Sequence, residues 1–359
     1  MHMRIYKIAV INLGSTSTKI AYYENENCLF KDNIVHTARA LEGFSTIWEQ
    51  FEFRKQAIEA YLKEKGILIS GLDAVVTRGG HTEPIVGGVY RITRKMLEQS
   101  ASEKYGNHAT DLGLKLAYEF SAQGPQAFTV DPPTTDEFEP LARYSGLPQI
   151  KRRSSFHVLN HRAAGRQYAK DSGKDYRDLN LVVIHMGGGI SIAAHKKGRL
   201  VDANNAIDGD GPFSTNRCCS VPIGDLIKMC YSGTYTYPEI RRLINGNAGL
   251  MAYVGENDVK TVEERAAAGD QACGEALDAM CYQIAKEVGA AATVLMGEVD
   301  AIVFTGGIAH SKRIVDSVSR RVSFIAPIAV YPGEYEMQSL GLNTLAALRG
   351  EEEIKELNE

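Results

Sequence analysis

The sequence predicts an α/β protein built from two duplicated domains, and three observations carry that expectation. The segment Ile8–Ala21 recurs in outline as Leu181–Ala194: an apolar run, one polar residue (Asn12, His185), a Gly/Ser/Thr turn and a second apolar run. A second pair follows in the same order, Leu72–Gly80 against Val299–Gly307. The chain also has 359 residues, room for two domains of ordinary size, and its strand and helix patterns alternate. Each copy therefore carries glycine-rich turns suited to phosphate, and such a pair most naturally holds a nucleotide between its members.

Hydrophobic residues make up 44% and charged residues 23%, as in globular proteins rather than disordered ones. A net charge of -4 supplies no drive toward nucleic acid or an anionic membrane. No apolar stretch is long enough to span a bilayer, and no signal-peptide pattern opens the chain, so a cytoplasmic address is expected. The six cysteines show no CxxC spacing and are expected as reduced thiols.

Ile8–Ile11 reads as a strand covered on both faces. Helical spacing follows over Thr46–Lys65, with Ser45 as N-cap and Gly66 as C-cap. A second helix is expected over Ser102–Ala122, and a buried strand over Ala127–Val130 runs into Asp131-Pro132-Pro133. Residues 140–160 hold prolines and a basic cluster and read as the crossing between domains. The second half has strands within 181–194 and 301–305 and helices near 223–231, 237–245 and 265–297. Its Ala-rich stretch Glu275–Leu295 reads as core or interface. Gly187 and Gly306 lie 119 positions apart, against 65 for Gly14 and Gly79, which places an insertion in the second copy. The chain closes with a helix over Tyr335–Arg349 and an acidic tail expected to fray.

Asn12–Lys19 lacks the Gly-Lys-Ser/Thr ending of a P-loop and is followed by a strand. It offers instead a hairpin turn dense in hydroxyls and N–H groups, an anion nest. The Gly187-Gly188-Gly189 turn matches it. Glycines at 306 and 307 allow close approach of a flat ligand or, equally, close packing. Arg78 and Arg217 are candidate partners of an anion. Asp131, stiffened by two prolines, suits Mg²⁺ or a general base. His157, His161 and His185 lack partners at metal spacing, so zinc is not expected.

These blocks, with Phe156-His157, Asp208–Arg217 and Phe304–Ala309, resemble the acetate/butyrate kinase family over nearly the whole chain. That family belongs to the superfamily of acetate and sugar kinases, 70-kDa heat-shock proteins and actin. Arg78-Gly-Gly, Asp131-Pro-Pro, Ser145–Pro148, Met186–Ile190, Asp208–Phe213 and Tyr331–Glu336 look most like the butyrate kinase branch. The resemblance implies two actin-like, ribonuclease H-like domains with mixed sheets and a nucleotide in the cleft between them. Their expected extents are 1–155 with 332–359, and 156–331.

The resemblance further implies phosphoryl transfer from ATP to a short-chain carboxylic acid, giving ADP and an acyl phosphate, with Mg²⁺. Butyrate or a branched relative is the expected acid. The alternatives are acetate or propionate, or a non-catalytic actin-like nucleotide switch. Carried over by position, Asn12, Ser15, Ser17 and Lys19 line the phosphate side. Arg217 and His157 contact the transferring phosphoryl group, Asp131 organises Mg²⁺ and Arg217, and Arg78 meets the substrate. His185 and Gly187–Gly189, Gly188 among them, hold nucleotide phosphates. Gly306, Gly307 and Ile308 pack on adenine, and Asp258 and Lys260 fall in the segment that contacts ribose and adenine. Either Glu334 or Glu336 serves the metal. A homo-oligomer is implied, with the Ala-rich helix as a candidate face. Phe156 and the glycines of Asp208–Pro212 are the expected walls of a roomier acyl pocket.

Overall fold

The computed structural model describes residues 4–357. Contacts divide the chain into one unit within Met1–Asp136 and Tyr335–Glu359, and another within Glu137–Glu334. The sequence sets these boundaries at 155/156 and 331/332, so the first crossing lies earlier than expected. The cause is side-chain pairing around residues 137–156. Glu137 accepts from Arg162 Nη2 at 2.6 Å and from the Leu200 N–H at 2.9 Å, and Phe138 stacks on Phe156 at 6.2 Å. Arg152 reaches Asp202 at 2.8 Å.

The first unit holds Lys7–Leu13 (β1), Ser17–Glu24 (β2), Asn27–Val35 (β3), Ala74–Thr77 (β4), Val89–Arg91 (β5) and Gln126–Val130 (β6). The second holds Asn180–Met186 (β7), Ile190–Lys196 (β8), Arg199–Ala203 (β9), Ala301–Gly306 (β10) and Ile328–Pro332 (β11). The strand order β3-β2-β1-β4-β6 of the first sheet is repeated as β9-β8-β7-β10-β11 in the second. In both, the first three strands run antiparallel and the next two join parallel to the first. The sequence repeat is thus a repeat of topology. The first sheet has a further edge, β5 and Ile354–Lys355 (β12). The tail expected to fray is therefore in part a strand, because Ile354 and Lys355 pair with Val89 and Tyr90 and Lys355 Nζ donates to the Gly87 carbonyl.

Strand side chains alternate between faces, and in β7 and β10 both faces are covered. Val182, Ile184, Ile302 and Phe304 join the core of the helix Gln271–Val294, while Leu181, Val183, Ala301 and Val303 join Ala164 and Ala169 of the helix Val158–Ser172. The Ala-rich stretch is therefore largely core: Ala276, Leu277, Met280, Ile284 and Val288 are buried within the unit. In the first unit, Ile11, Ile20 and Val75 pack with Ile58, Leu62, Leu112 and Leu116. The closing helix Glu336–Leu348 packs on β1.

Three helices depart from expectation. Thr46–Lys65 begins as a short 3₁₀ turn, Trp48–Gln50, before the helix Phe51–Glu64, and Ser45 does not cap it. Ser102–Ala122 is a helix only over Asp111–Ser121, preceded by Arg94–Ala101. The break is fixed by Gly106 at φ +146°, where an added Cβ would lie 2.5 Å from the His81 ring. Residues 265–297 split into Val259–Ala267 and Gln271–Val294. There Gly269 sits at φ +99° and Asp270 caps the second helix through the Cys273 N–H. No helix among the described residues is long and apolar enough to cross a membrane.

Candidate active site

Each unit carries its own polar cluster at the C-terminal ends of its parallel strands, where open α/β sheets bind ligands. In the first unit, β1 turns at Gly14–Thr16 into β2, with the Gly14 N–H donating to the Ser17 carbonyl at 2.8 Å. Asn12 pairs with Lys19 across this hairpin. The Asn12 side chain is buried and donates to Glu336 Oε2 at 2.8 Å. Arg78, just past β4, reaches the other oxygen of Glu336 at 3.6 Å. The two C-terminal glutamates are thereby separated: Glu336 is buried beside Asn12 and Arg78, whereas Glu334 is exposed and belongs to the other unit.

Asp131 follows β6 and adopts φ +44°, a left-handed conformation that costs an ordinary residue free energy. It is held by the backbone of Gly88: the Asp131 N–H donates to the Gly88 carbonyl at 3.0 Å, and Oδ1 accepts from the Gly88 N–H at 2.8 Å. Gly79 and Gly80, which follow Arg78, are explained by packing. A Cβ at Gly79 would lie 2.3 Å from Thr129 Oγ1, and one at Gly80 2.6 Å from Asp111 Oδ1.

Sequence reading missed Asp111, His81 and His108, which are dispersed and carry no motif. Asp111 is buried and accepts from the N–H groups of His81 at 2.6 Å and His108 at 2.7 Å. Burial opposes its charge, yet the His81 and His108 bonds hold its carboxyl below the usual range. His108 touches Ser15 Oγ at 3.3 Å and is shifted down by burial and by Arg78.

In the second unit a cavity of about 600 Å³, of ordinary ligand-site size, opens beside the β7–β8 turn. Six expected residues line it: Gly187, Gly188, Asp258, Lys260, Gly307 and Ile308. The glycines divide by role. A Cβ at Gly188 or Gly307 meets nothing within 4 Å, so protein packing does not demand glycine there. Gly306, at φ +90°, is a packing glycine, since its Cβ would lie 2.3 Å from the Met186 carbonyl. It ends β10, and Gly307–His310 continues as a 3₁₀ turn. Asp258 caps the helix Val259–Ala267 through the Thr261 N–H and hydroxyl. Asn216 was missed, although it neighbours Arg217; its buried Oδ1 lacks a donor.

Arg217 lies against Gly189, where a Cβ would stand 2.0 Å from its Nη1. That nitrogen donates to the Ala206 carbonyl at 2.5 Å, while the buried Nε has no acceptor. Burial pushes the guanidinium pKa down. Asp208, the carboxylate whose charge acts on it, is engaged by Arg241 at 3.1 Å.

Four imidazoles run beneath this turn. His157 stacks on His185 at 4.2 Å, and Ser191 Oγ bridges His157 Nδ1 at 3.0 Å and His161 Nε2 at 2.8 Å. His195 meets the Tyr176 hydroxyl at 2.9 Å. Burial drives His161 well below the usual histidine range and His195 to about 3, so both are neutral.

The residues expected as acyl walls have packing roles of their own. Phe156 is buried with Phe138, Ala142, Val158 and Leu200. Gly209 and Gly211 are demanded by Asn205 and Asn204, whose side chains would lie 2.5 and 2.3 Å from added Cβ atoms. Among the described residues no group of three or more His, Cys, Asp or Glu is placed to hold a metal alone. Any ion at the candidate carboxylates must complete its shell with other oxygens.

Residues 144–337 match the Acetokinase family. Butyrate kinase 2 of Clostridium acetobutylicum is 48% identical over 351 residues, covering 98% of this chain and 99% of that protein. Butyrate kinase 1 of the same organism is 46% identical over 353 residues, covering 98% and 99%. In fold, the chain superposes on the acetate kinase of Porphyromonas gingivalis with a TM-score of 0.79 at 21% identity, over 96% of this chain and 100% of that one. The repeated strand order, the glycine turns and the near-complete match to these relatives have one reading: this chain belongs to the acetokinase family.

Proposed function

We propose that the chain is a butyrate kinase, moving the γ-phosphoryl group of ATP to the carboxylate of butyrate or a branched relative and giving ADP and an acyl phosphate, reversibly. The observation that carries this reading is Arg217: a half-buried guanidinium with an unsatisfied Nε, wedged against the Gly187–Gly189 turn. Such a group calls for an anionic ligand. The names of the relatives set the acid at four carbons.

A carboxylate nucleophile, with pKa of roughly 4–5, is ionised at neutral pH, so no general base is required. The protein's task is placement and charge neutralisation. The cavity of the second unit takes the nucleotide, with Gly187 and Gly188 on its phosphates, Gly307 and Ile308 on adenine, and Asp258 and Lys260 on the ribose side. In the first unit, Asn12, Ser15, Ser17 and Lys19 face the phosphoryl end and Arg78 orients the acid. Asp131, locked by Gly88, organises rather than deprotonates.

Mg²⁺ suits the oxygen donors Asp131 and Glu336, since magnesium takes one or two carboxylates together with phosphate oxygens. When bound, it neutralises charge on the transferring phosphate. Glu336 is preferred over the exposed Glu334 because it is buried beside Asn12 and Arg78.

His157 acts as a donor. Neutral His161 has no partner at Nδ1, so its proton belongs on Nε2, toward Ser191. The Ser191 hydroxyl then donates to His157 Nδ1, leaving the His157 proton on Nε2. The enzyme works in the cytoplasm, where ATP is abundant, and as a homo-oligomer.

Acid-dependent formation of a hydroxamate-trappable product from ATP tests this reading. Trapped product that requires both butyrate and ATP is expected. ATP binding without any acid-dependent product would mark a non-catalytic nucleotide switch.

A further inference from the structure

The helix Phe51–Glu64 buries Arg54, which is 1% exposed and stands first by volume among the fully buried side chains. A buried cation ordinarily meets a carboxylate. Among the described residues Arg54 meets none: Nε donates to Gln50 Oε1 at 3.0 Å, Nη1 to the Gly14 carbonyl at 2.8 Å and Nη2 to the Ser15 carbonyl at 2.7 Å. Its uncompensated charge is felt nearby, where it helps to lower His36 and His108.

Both carbonyls belong to the turn between β1 and β2. In a trans peptide the C=O and the following N–H point in opposite directions. Drawing the Gly14 and Ser15 carbonyls onto Arg54 therefore turns the N–H groups of Ser15 and Thr16 the other way. Those two residues are exposed, and neither N–H donates to a protein acceptor among the described residues. Two adjacent N–H groups, two hydroxyls and a buried cation behind them make a seat for a tetrahedral anion.

We infer that Arg54 is a positioning residue for phosphoryl binding, the clamp and buried counter-charge that hold the Ser15 and Thr16 N–H groups ready for phosphate oxygens. The inference rests on the kinase reading, which makes this turn the phosphoryl side. The anion is a phosphoryl group that arrives either on a nucleotide or on an acyl phosphate.

The test compares wild type, Arg54→Met and Arg54→Lys by calorimetric binding of Mg·ADP and of butyryl phosphate, together with steady-state kinetics. Arg54→Met is expected to lower kcat by about tenfold or more, because misplacing a binding group by about 1 Å costs up to 10²-fold. The KM for butyrate should stay within about twofold of wild type, a split that general destabilisation would not produce. Weaker butyryl phosphate binding identifies the acyl phosphate as the partner, and weaker ADP binding identifies the nucleotide. Arg54→Lys keeps the charge but not the fork, and should recover binding more than kcat. If Arg54→Met does not fold, Arg54→Lys carries the same comparison. Unchanged binding of both ligands with kcat within about twofold overturns the inference. The binding arms need no turnover, so an inactive wild type would sink the kinase reading without deciding the clamp.

Discussion

The hairpins β1–β2 and β7–β8 share strand order and turn position, yet they treat their neighbouring arginines in opposite ways. Arg78 has an ion-pair partner in Glu336, while Arg217 has, among the described residues, an unsatisfied Nε and no carboxylate to itself. Beneath the first turn lies a buried cation, Arg54; beneath the second lie neutral imidazoles. Duplication copied where the backbone turns, and the chemistry came from the side chains each copy placed around it. On the proposed reading, the unpaired arginine is the one that meets charge developing only in the transition state.

The largest test of that contrast is Arg217→Ala, expected to lower kcat by roughly 10³–10⁵ while leaving the thermal midpoint near wild type. Retention of more than about a tenth of kcat would make Arg217 structural. Next come two neighbouring glycines. Gly189→Ala forces the Arg217 guanidinium aside and should cost about 10² in kcat. Gly188→Ala adds its methyl to open space, so it should raise the ATP KM with little change in kcat or stability. Equal behaviour of the two variants would break the division between packing and ligand-facing glycines. Arg78→Ala should raise the KM for the acid by about 10–150-fold, the equivalent of a lost charged hydrogen bond of about 1.5–3 kcal/mol. A selective rise in the ATP KM would move Arg78 to the nucleotide side.

Much of this was legible in the sequence because the repeat falls on the strands that form each sheet's centre. The apolar runs of β1, β7 and β10 announce strands covered on both faces, and the glycine turns between them keep their spacing. The helix breaks at 102–110 and 268–270 were not legible, since they depend on Gly106 meeting His81 and on Asp270 capping the next helix. The roles of Gly79, Gly209 and Gly211 were hidden for the same reason: each answers a side chain distant or offset in sequence. Arg54 carries no motif at all. Its meaning comes from the absence of an acid around it, which only the fold reveals.

The smallest expected effect concerns the imidazoles under the second turn. His195 has a folded pKa of about 3 against roughly 6.5 when unfolded, so between these values the unfolded chain binds more protons. Its contribution is fully present above about pH 6.5 and is lost as the pH falls toward 3, amounting to about 2 kcal/mol by pH 5. Denaturant unfolding at pH 7 and pH 5 should show a smaller loss for His195→Gln than for wild type. Equal losses would mean that His195 titrates normally.

The central claim, a kinase for four-carbon acids, is tested most directly by kcat/KM across acetate, propionate, butyrate, isobutyrate and valerate. Phe156 and the glycines of Asp208–Pro212 are engaged in packing, so the preference is to be measured rather than read from them. Two buried methylenes at about 0.8 kcal/mol each correspond to roughly a fifteenfold advantage of butyrate over acetate in a dry pocket. The account predicts a maximum at butyrate or isobutyrate with acetate lower by about that factor. An equal or higher kcat/KM for acetate would contradict the four-carbon assignment, and no acid-dependent turnover at all would contradict the carboxylate kinase itself.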